Sequence, residues 1–399
     1  MIQKMTFNLY LRMQNKTIIL SMGSISAMGS HPEEIWKNYI NGTPRIGLCC
    51  YNDCNTPVGK LHPNEEDLVK SLRYESSNYR RLDKTVLLSI IASRQAVKNG
   101  AWGNKKDISI NIGSSRGATH LFEKYHKHFL ENKGKRLSPI VSPTTTLGNI
   151  SSWTGHDLDS TGACFSHSIT CSTALHAILN GKAWIDSGMT KRFIAGGSEA
   201  SLSDFTTAQM RALRIYSKEK GQYPCLPLQS NKKKNSMVLG EGSAVFCLEK
   251  DAGQERIATI QGIGFATERI EHNTSLSANA DCLSKSMKMA LQNAQLSRVD
   301  SIVMHAPGTI RGDESEVKAI KNLFGADIPH LISTKHLTGH TFGASGALSI
   351  ELAILMLKKQ QSVLLPYPSI GGKNLNELNH VMVNSTGFGG NAVSIILSK

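Results

Sequence analysis

Short apolar runs rich in β-branched residues alternate along the chain with longer amphipathic stretches. Four of these runs predict strands: TIILSMG, DISINIGSS, RFIAGGSEA and SAVFCLEK. Three amphipathic stretches predict helices, at residues 83–100, 173–188 and 275–296. Because strands alternate with helices and are nearly continuous in apolar character, the pattern predicts parallel, buried sheets of an α/β fold.

A faint internal repeat suggests that the fold is duplicated. DISINIGSSRGATHLFEKY and DSIVMHAPGTIRGDESEVKAI share one layout, in which an Asp precedes an apolar strand, a turn of small residues and a helix. We therefore expect an extension at 1–16, one half at 17–250 and a second half at 251–399. Two similar halves create a crevice between their strand ends, where ligands of α/β folds collect.

Length and composition are those of a globular protein. The 399 residues are 40% hydrophobic and 19% charged, enough for two domains or one large duplicated architecture. No run of eighteen uncharged apolar residues predicts a transmembrane helix. The opening residues lack the features of a signal peptide, so we expect a cytoplasmic protein with free thiols.

The formal net charge of +14 points to an acidic partner or to a solvated basic surface. Basic residues cluster at 123–136 and 231–235. A nucleic-acid-binding protein would also be basic, but neither zinc-finger spacing nor an aromatic-basic RNA motif is present.

Cysteine usage leaves two interpretations open. The segment CCYNDC has three cysteines close together, but no second Cys/His pair follows at zinc-site spacing, so we expect no metal there.

Cys171 stands between small hydroxyl residues just before a predicted helix. Such a cysteine is either a buried packing residue or a nucleophile at a helix start, and the local sequence favours packing.

Three stretches of the second half place polar residues at predicted strand ends. They are VMHAPGTIRGDESE, KHLTGHTFGASG and NSTGFGGNAVSIIL. Each has an ordinary structural explanation when taken alone, such as a hydrogen-bonded histidine, a solvated lysine or a tight glycine turn. Their candidate residues are His305, Thr309, Asp313, Glu316, Lys335, His340, Thr386 and Phe388.

Taken together with Cys171 and the GEG at 240–242, these stretches resemble the β-ketoacyl synthase family, in its elongating Cys-His-His form. Order and spacing agree from about residue 17 to the end. The resemblance implies a thiolase-like duplicated αβαβα layered fold. It also implies decarboxylative Claisen condensation of an acyl thioester with malonyl-acyl carrier protein, in fatty acid or polyketide/polyene-type biosynthesis.

The resemblance implies a role for each catalytic residue. Cys171 is the nucleophile, with its thiolate stabilised by the helix start. The backbone N–H groups of Cys171 and Phe388 form the oxyanion hole. His305 and His340 donate to the enolate oxygen that decarboxylation creates.

Supporting residues follow from the same resemblance. Lys335 orients the histidine region through Glu316, and Asp313 and Glu316 position the loop. We expect no metal or redox cofactor, because the phosphopantetheine arm arrives on the carrier protein.

The chain departs from the family at several positions. Ala306 and Pro307 replace the Gly-Thr that usually follows the first histidine, and Thr386 replaces a gating phenylalanine. Arg116 lies in a turn that usually carries small or apolar residues. We assign Arg116, Thr309 and Thr386 to the substrate pocket. The polar and charged side chains of these residues suggest a specialised biosynthetic pathway.

The expected partners are an acyl carrier protein and a second subunit, in a homodimer or a heterodimer with a related synthase-like chain. We expect carrier docking through the basic stretch that contains Lys124, Lys127, Lys133 and Arg136. The alternatives are a non-catalytic chain-length-factor-like subunit, which typically lacks the cysteine, a degradative thiolase-type enzyme, and a basic nucleic-acid-binding protein.

Overall fold

A computed structural model describes residues 16–135, 137–219, 221–269 and 276–399. Its strands are β1 Thr17–Ser26, β2 Gly47–Tyr51, β3 Cys54–Gly59, β4 Ile108–Gly113, β5 Cys164–Phe165, β6 Arg192–Glu199, β7 Leu239–Gly240, β8 Gly242–Lys250, β9 Ala258–Thr267, β10 Ser301–Val303, β11 His330–Ile332, β12 Val381–Gly387 and β13 Asn391–Ser398. Its α-helices are α1 Pro32–Asn41, α2 Pro63–Glu75, α3 Lys84–Asn99, α4 Thr119–Glu131, α5 Val141–Thr145, α6 Asn149–Asp157, α7 Thr173–Asp186, α8 Asp204–Ala212, α9 Asp281–Ala294, α10 Ile310–Phe324, α11 Lys335–Thr338 and α12 Ser345–Lys359. Two 3₁₀ turns cover Tyr79–Arg81 and Phe342–Ala344.

The sheet topology shows a duplication. Ten strands are hydrogen-bonded in the order β11-β10-β12-β13-β9-β1-β8-β6-β4-β5. Strands β1 and β9 are neighbours in the middle of the sheet. Counting outward, β8, β6, β4 and β5 follow β1 in the same arrangement in which β13, β12, β10 and β11 follow β9. Strands β4 and β10, which the sequence repeat singled out, occupy equivalent positions. The division that we expected after residue 250 coincides with the end of β8.

The prediction of parallel sheets is correct only toward the outer edges. Strand β4 is parallel to β5 and β6, and β10 is parallel to β11 and β12. The remaining pairs of the ten-stranded sheet, from β6–β8 across to β13–β12, are antiparallel. Strands β12 and β13 are joined by only residues 388–390, and so short a connection requires an antiparallel pair.

Two buried helices form the central layer. Helices α7 and α12 pack on each other, and each also contacts strands of both halves. Residues 345–357 of α12 are all buried, as expected for a helix with protein on every side. Helices α3 and α6 cover the outer face of the first half, and α9 does so for the second. The result is the layered α/β arrangement that the resemblance implied.

The duplication brings the candidate residues to one region. Cys171 immediately precedes α7, His305 follows β10 and Lys335 begins α11 after β11. Because β10, β11 and β12 run parallel, their carboxyl ends lie at the same edge of the sheet, together with the turn after β12. In the described part of the chain, no helix is long and apolar enough to cross a membrane.

Candidate active site

The Cys171 thiol lies against the His340 imidazole. The distance from His340 Nε2 to Cys171 Sγ is 3.2 Å, although the two residues are 169 positions apart. Backbone hydrogen bonds hold His340 in place, because its N–H donates to Val238 and its carbonyl accepts from Gly240. The cysteine is 7% exposed, so a small opening reaches it.

His305 faces the same pair from the other side. Its ring centroid lies 5.2 Å from that of His340, with the rings nearly perpendicular. The Glu316 carboxylate accepts hydrogen bonds from the backbone N–H groups of His305 and Ala306, at 3.0 and 2.8 Å. Asn384 donates to the same carboxylate. The position of His305 therefore depends on Glu316, in agreement with the loop-positioning role expected of it.

Lys335 is a buried cation next to these groups. It is 1% exposed, and among the described residues its Nζ has no hydrogen-bond partner. Burial lowers the pKa of Lys335 to about 8, although the nearby Glu316 and the two thiols Cys225 and Cys171 oppose the shift. We expected Lys335 to act through a contact with Glu316. Among the described residues the structure shows no hydrogen bond or ion pair between Lys335 and Glu316, whose oxygens accept from backbone and amide donors instead.

The electrostatics favour a neutral resting pair. Burial, reinforced by the Glu199 carboxylate, raises the pKa of Cys171 to about 12, while Lys335 and Arg116 act in the opposite direction. Burial and the Lys335 charge lower the pKa of His340 to about 3. At neutral pH the thiol is therefore protonated and the imidazole is neutral. The thiolate expected from the helix start is therefore not the resting form of Cys171, and His340 Nε2 lies within reach of the thiol proton.

The glycine turn after β12 lies directly against the cysteine. A Cβ on Gly387 would come within 1.9 Å of Thr170 Oγ1 and 2.9 Å of the Cys171 nitrogen, so only glycine fits. Thr170 Oγ1 also donates to the Phe388 carbonyl, and Ser385 Oγ to the Cys171 carbonyl. These contacts bring the Cys171 and Phe388 backbones together, as the expected oxyanion hole requires.

Asp313 is part of a buried network under the His305 loop. Its carboxylate accepts from the backbone N–H groups of Leu228 and Gly308, and it pairs with Lys232 at 2.7 Å. Thr309 caps α10, with its hydroxyl accepting from the Gly312 N–H. Asp313 thus positions the His305 loop. Lys232 belongs to a basic run that we expected on the surface, but its side chain is buried against Asp313.

A cavity of about 690 Å³ leads to the thiol. Its inner wall contains Cys171, His305 and His340, which are buried, and its outer wall contains Phe388, which is 39% exposed. The other lining residues are Met210, Leu213, Ile215, Asn235, Met237, Leu276, Pro307, Thr309, Ile310, Arg311, Gly312, Ser315, Phe342, Thr386 and Gly387. Thr309 and Thr386 therefore lie where the substrate-pocket assignment placed them.

Arg116 does not line this cavity, and its assignment to the pocket is wrong in that respect. Its guanidinium lies 5.0 Å from the Phe342 ring centroid, and its Nη1 donates to the Gln209 side chain at 2.6 Å. Phe342 itself lines the cavity and packs against His340. Arg116 therefore supports the cavity wall from behind, because Gln209 and Phe342 hold its side chain there.

Glu199 is an important residue that we did not predict. It ends β6, and its carboxylate accepts from the backbone N–H groups of Ser115, Arg116 and Gly343. These contacts connect the turn after β4 with the loop that carries His340. Burial raises the pKa of Glu199 to about 7, although its four hydrogen bonds oppose the shift. A sequence signal was present, since GGSE ends an apolar run at the edge of the sheet where the candidate residues meet.

Comparison with known proteins agrees with this geometry. Residues 14–253 match the beta-ketoacyl synthase N-terminal domain, and residues 257–366 match the beta-ketoacyl synthase C-terminal domain. The chain belongs to the β-ketoacyl synthase family. The chain is 27% identical to the 3-oxoacyl-[acyl-carrier-protein] synthase 2 of Staphylococcus aureus strain COL, over 97% of this chain and 99% of that protein.

Solved structures show the same fold. A chain of the ishigamide ketosynthase/chain length factor superposes with a TM-score of 0.86 at 18% identity, covering 97% of this chain and 99% of that one. A chain of AntDE:AntF, a type II PKS acyl-carrier protein in complex with its ketosynthase, gives 0.82 at 18% identity, covering 96% and 99%. These matches confirm the predicted thiolase-like architecture of this β-ketoacyl synthase.

The cysteine-rich segment of this β-ketoacyl synthase is the β2–β3 hairpin. Cys49, Cys50 and Cys54 lie on its two strands, around a tight turn at Asn52 and Asp53. In the described parts of the chain, no cluster of three His, Cys, Asp or Glu residues could hold a metal ion. All eight cysteines have free thiols.

The lowered pKa of Lys335 predicts an alkaline limit for the synthase. The amine is charged below pH 8 and neutral above it, and its charge stabilises a thiolate or enolate nearby. We therefore expect the condensation rate to fall between about pH 7 and 9, with a midpoint near 8. Lys335→Met, which is similar in length and uncharged, should be slower by about tenfold or more and should lack this decline. A decline of the same midpoint in the Met variant would assign it to another group.

Proposed function

We propose that the protein is a β-ketoacyl-acyl carrier protein synthase that joins an acyl group on Cys171 to malonyl-acyl carrier protein, in fatty acid or polyketide-type biosynthesis. The contact of 3.2 Å between Cys171 Sγ and His340 Nε2, with His305 facing the same cavity, is the observation that carries the proposal. The names of the curated relatives point to the same activity.

In the first half-reaction, the thiol attacks the carbonyl of an acyl thioester. His340 Nε2 accepts the thiol proton, and the new Sγ–carbon bond forms as the oxyanion develops beside the N–H groups of Cys171 and Phe388. The bond to the carrier sulfur then breaks, and the carrier thiolate takes up the proton. The neutral state of His340 suits this step, because a protonated imidazole could not accept the proton.

In the second half-reaction, malonyl thioester loses carbon dioxide and becomes an enolate. Neutral His305 can donate one N–H to the enolate oxygen. Neutral His340 can do the same once its proton has moved from Nδ1 to Nε2, the nitrogen that faces Cys171, and the nearby charge of Lys335 stabilises the negative species. The enolate carbon attacks the acyl carbonyl on Cys171. Collapse of that intermediate breaks the Sγ–carbon bond, releases the β-ketoacyl product on the carrier and frees Cys171 as a thiolate. A proton from solvent then restores the thiol.

Phosphopantetheine reaches the cavity on the carrier protein, and the reaction as proposed needs no metal or redox cofactor. In the basic stretch where we expected the carrier to dock, Lys124, Lys127 and Lys133 are exposed on α4 and the loop after it, while Arg136 lies outside the described residues. Carrier docking at this stretch stays a prediction from the sequence.

A second subunit is also part of the proposal. Helix α4 has no buried residue, and it leaves the apolar side chains of Phe122, Phe129 and Leu130 exposed. In this proposal a homodimer partner or a related chain in a heterodimer covers this face, and one structural relative is a ketosynthase in complex with its chain length factor. A cytoplasmic location stays a prediction from the sequence.

The alternative of a non-catalytic chain-length-factor-like subunit is less well supported. Such a subunit has no use for a thiol, yet Cys171 contacts a base and opens on a cavity. Degradative thiolase and nucleic-acid-binding functions have no specific observation in their favour.

Intact-protein mass spectrometry tests the function directly. We expect Cys171 to gain the mass of one acyl group from some members of a panel of acyl-carrier thioesters, and malonyl-carrier to discharge it as a β-ketoacyl product. A folded protein that neither accepts an acyl group nor forms the product from any panel member would contradict the proposal.

A further inference from the structure

Arg116 is a half-buried cation near the thiol, and its guanidinium has no acidic partner among the described residues. Burial raises the pKa of Cys171, and the Arg116 charge acts in the opposite direction, so the guanidinium influences the site although it does not line the cavity. Its Nη1 donates to the neutral Gln209 amide at 2.6 Å, whereas the Glu199 carboxylate accepts from the Arg116 backbone N–H. The guanidinium therefore keeps donors available for an oxygen atom of a ligand.

The Phe342 ring separates Arg116 from the cavity. The guanidinium lies over this ring, 5.0 Å from its centroid, and the ring also packs against the His340 imidazole, with 5.5 Å between the centroids. Phe342 lines the cavity, and so does Met210, the residue after Gln209. Arg116 thus lies directly behind a wall of two apolar side chains.

The backbone of Phe342 is strained. Its φ is +42°, in the left-handed region that bulky residues rarely adopt. The next residue is held firmly, because the Gly343 N–H donates to the Glu199 carboxylate at 3.0 Å and a Cβ on Gly343 would come within 2.4 Å of the Ser115 nitrogen. Strained residues cluster at ligand clamps and switch regions. We therefore expect the Phe342 side chain to be the part of the wall that moves when a ligand enters.

The second half-reaction requires room for two groups at the thiol. The acyl chain is bound to Cys171 while the malonyl thioester enters through the same cavity, past the exposed Phe388 of its outer wall. The acyl chain therefore has to extend away from the entrance. Phe342 is buried in one apolar cluster with Cys171, at this inner end of the cavity. When its ring turns aside, the acyl chain meets the guanidinium of Arg116.

We infer that Arg116 determines acyl specificity by binding an oxygen atom of the acyl chain once the Phe342 ring has turned aside. This inference rests on the proposed function. The favoured acyl groups carry a ketone or carboxylate oxygen beyond the thioester, whereas a hydrocarbon chain leaves the guanidinium desolvated without an acceptor. Hydrogen bonds from a charged donor are about twice as strong as neutral ones, so the preference is large enough to measure.

Matched acyl groups test the inference. The first set is hexanoyl, 5-oxohexanoyl and adipoyl, each as a pantetheine thioester, and they differ mainly in the oxygen at the far end. The corresponding octanoyl set tests a longer reach. Small thioesters are used because they report acyl binding without a carrier protein. The measurement is the second-order rate of Cys171 acylation, followed by intact-protein mass.

The parent should acylate about tenfold faster with the ketone and the carboxylate than with the hydrocarbon chain, in at least one of the two sets. In the uncharged variants Arg116→Met and Arg116→Gln, the rates within a set should agree within about twofold. Their hexanoyl rates should stay within about threefold of the parent, because a hydrocarbon chain makes no hydrogen bond to Arg116. Arg116→Lys keeps the charge and should retain a preference for adipoyl.

Arg211→Met is the matched control. Arg211 is also a half-buried arginine whose guanidinium donates to neutral groups, the Tyr51 carbonyl and the Thr56 hydroxyl. It lies on α8, the helix that carries Gln209, and it does not line the cavity. This variant should show the same acyl preference as the parent. Thermal unfolding midpoints establish which variants are folded.

Equal parent rates within both sets would overturn the inference. A preference that persists in folded Arg116→Met or Arg116→Gln would do the same, because another group would then bind the oxygen. Loss of hexanoyl acylation in these folded variants would make Arg116 a structural residue and would also contradict the inference. A parent that accepts no acyl group from these thioesters or from acyl-carrier thioesters would instead contradict the proposed function.

Discussion

Replacing Cys171 with alanine is expected to abolish condensation while the protein stays folded. The thiol is the atom to which the acyl group is bound, and no neighbouring nucleophile shares its position beside His340 Nε2 in the described part of the site. We expect the rate of β-ketoacyl product formation to fall by about a thousandfold or more. Mass spectrometry should show no acyl-enzyme, and the thermal unfolding midpoint should change little.

Cys247→Ala is the matched control. Cys247 is also buried, and burial raises its pKa to about 12 as it does for Cys171, but it lies in β8 and does not line the cavity. The control should be acylated and should condense at nearly the parent rate. Product formation by folded Cys171→Ala at the parent rate would show that this cysteine is not the nucleophile.

The fold was largely predictable because its strands and helices have strong hydrophobic patterns. The strand predictions for β1, β4, β6 and β8 agree with the structure, as do the helices α3 and α7. The sequence repeat also identified β4 and β10 as equivalent. Strand direction was predicted incorrectly in the middle of the sheet, because a strand covered by helices on both faces has the same apolar composition in parallel and antiparallel pairs.

The catalytic residues were predictable only as a set. Cys171 alone has the sequence environment of a packing residue, and a lone histidine at a strand end is usually structural. The resemblance to a known family, carried by the order and spacing of the motifs, joined Cys171 with His305 and His340. The structure then places the three around one cavity.

The direction in which a side chain points cannot be predicted from the local sequence. Arg116 was expected in the pocket, but contacts with Gln209 and Phe342 turn it behind the wall. Lys232 was expected on the surface, but Asp313 draws it inward. Each outcome depends on a residue far away in the chain, which no local pattern reports.

Replacing His305 and replacing His340 are expected to affect the two half-reactions differently. We first expected both to serve decarboxylation more than acyl transfer. The structure distinguishes them, because His340 contacts the Cys171 thiol, whereas His305 contacts the His340 ring edge and is anchored by Glu316. Acyl loading should therefore depend on His340, and carbon dioxide release should depend on both.

In His305→Ala, acyl loading of Cys171 should stay within about threefold of the parent, and carbon dioxide release from malonyl-carrier should fall by about 100-fold, the usual effect of losing one preorganised donor. In His340→Ala, loading should also slow by about tenfold or more, because the acceptor of the thiol proton is lost. Loading is followed by intact mass, and release is measured with labelled malonyl-carrier after loading is complete. His336→Ala is the control, because His336 is buried nearby but does not line the cavity. Parent-like carbon dioxide release in both single variants would refute the role of the histidines, and equal loading defects in the two would refute the division between them.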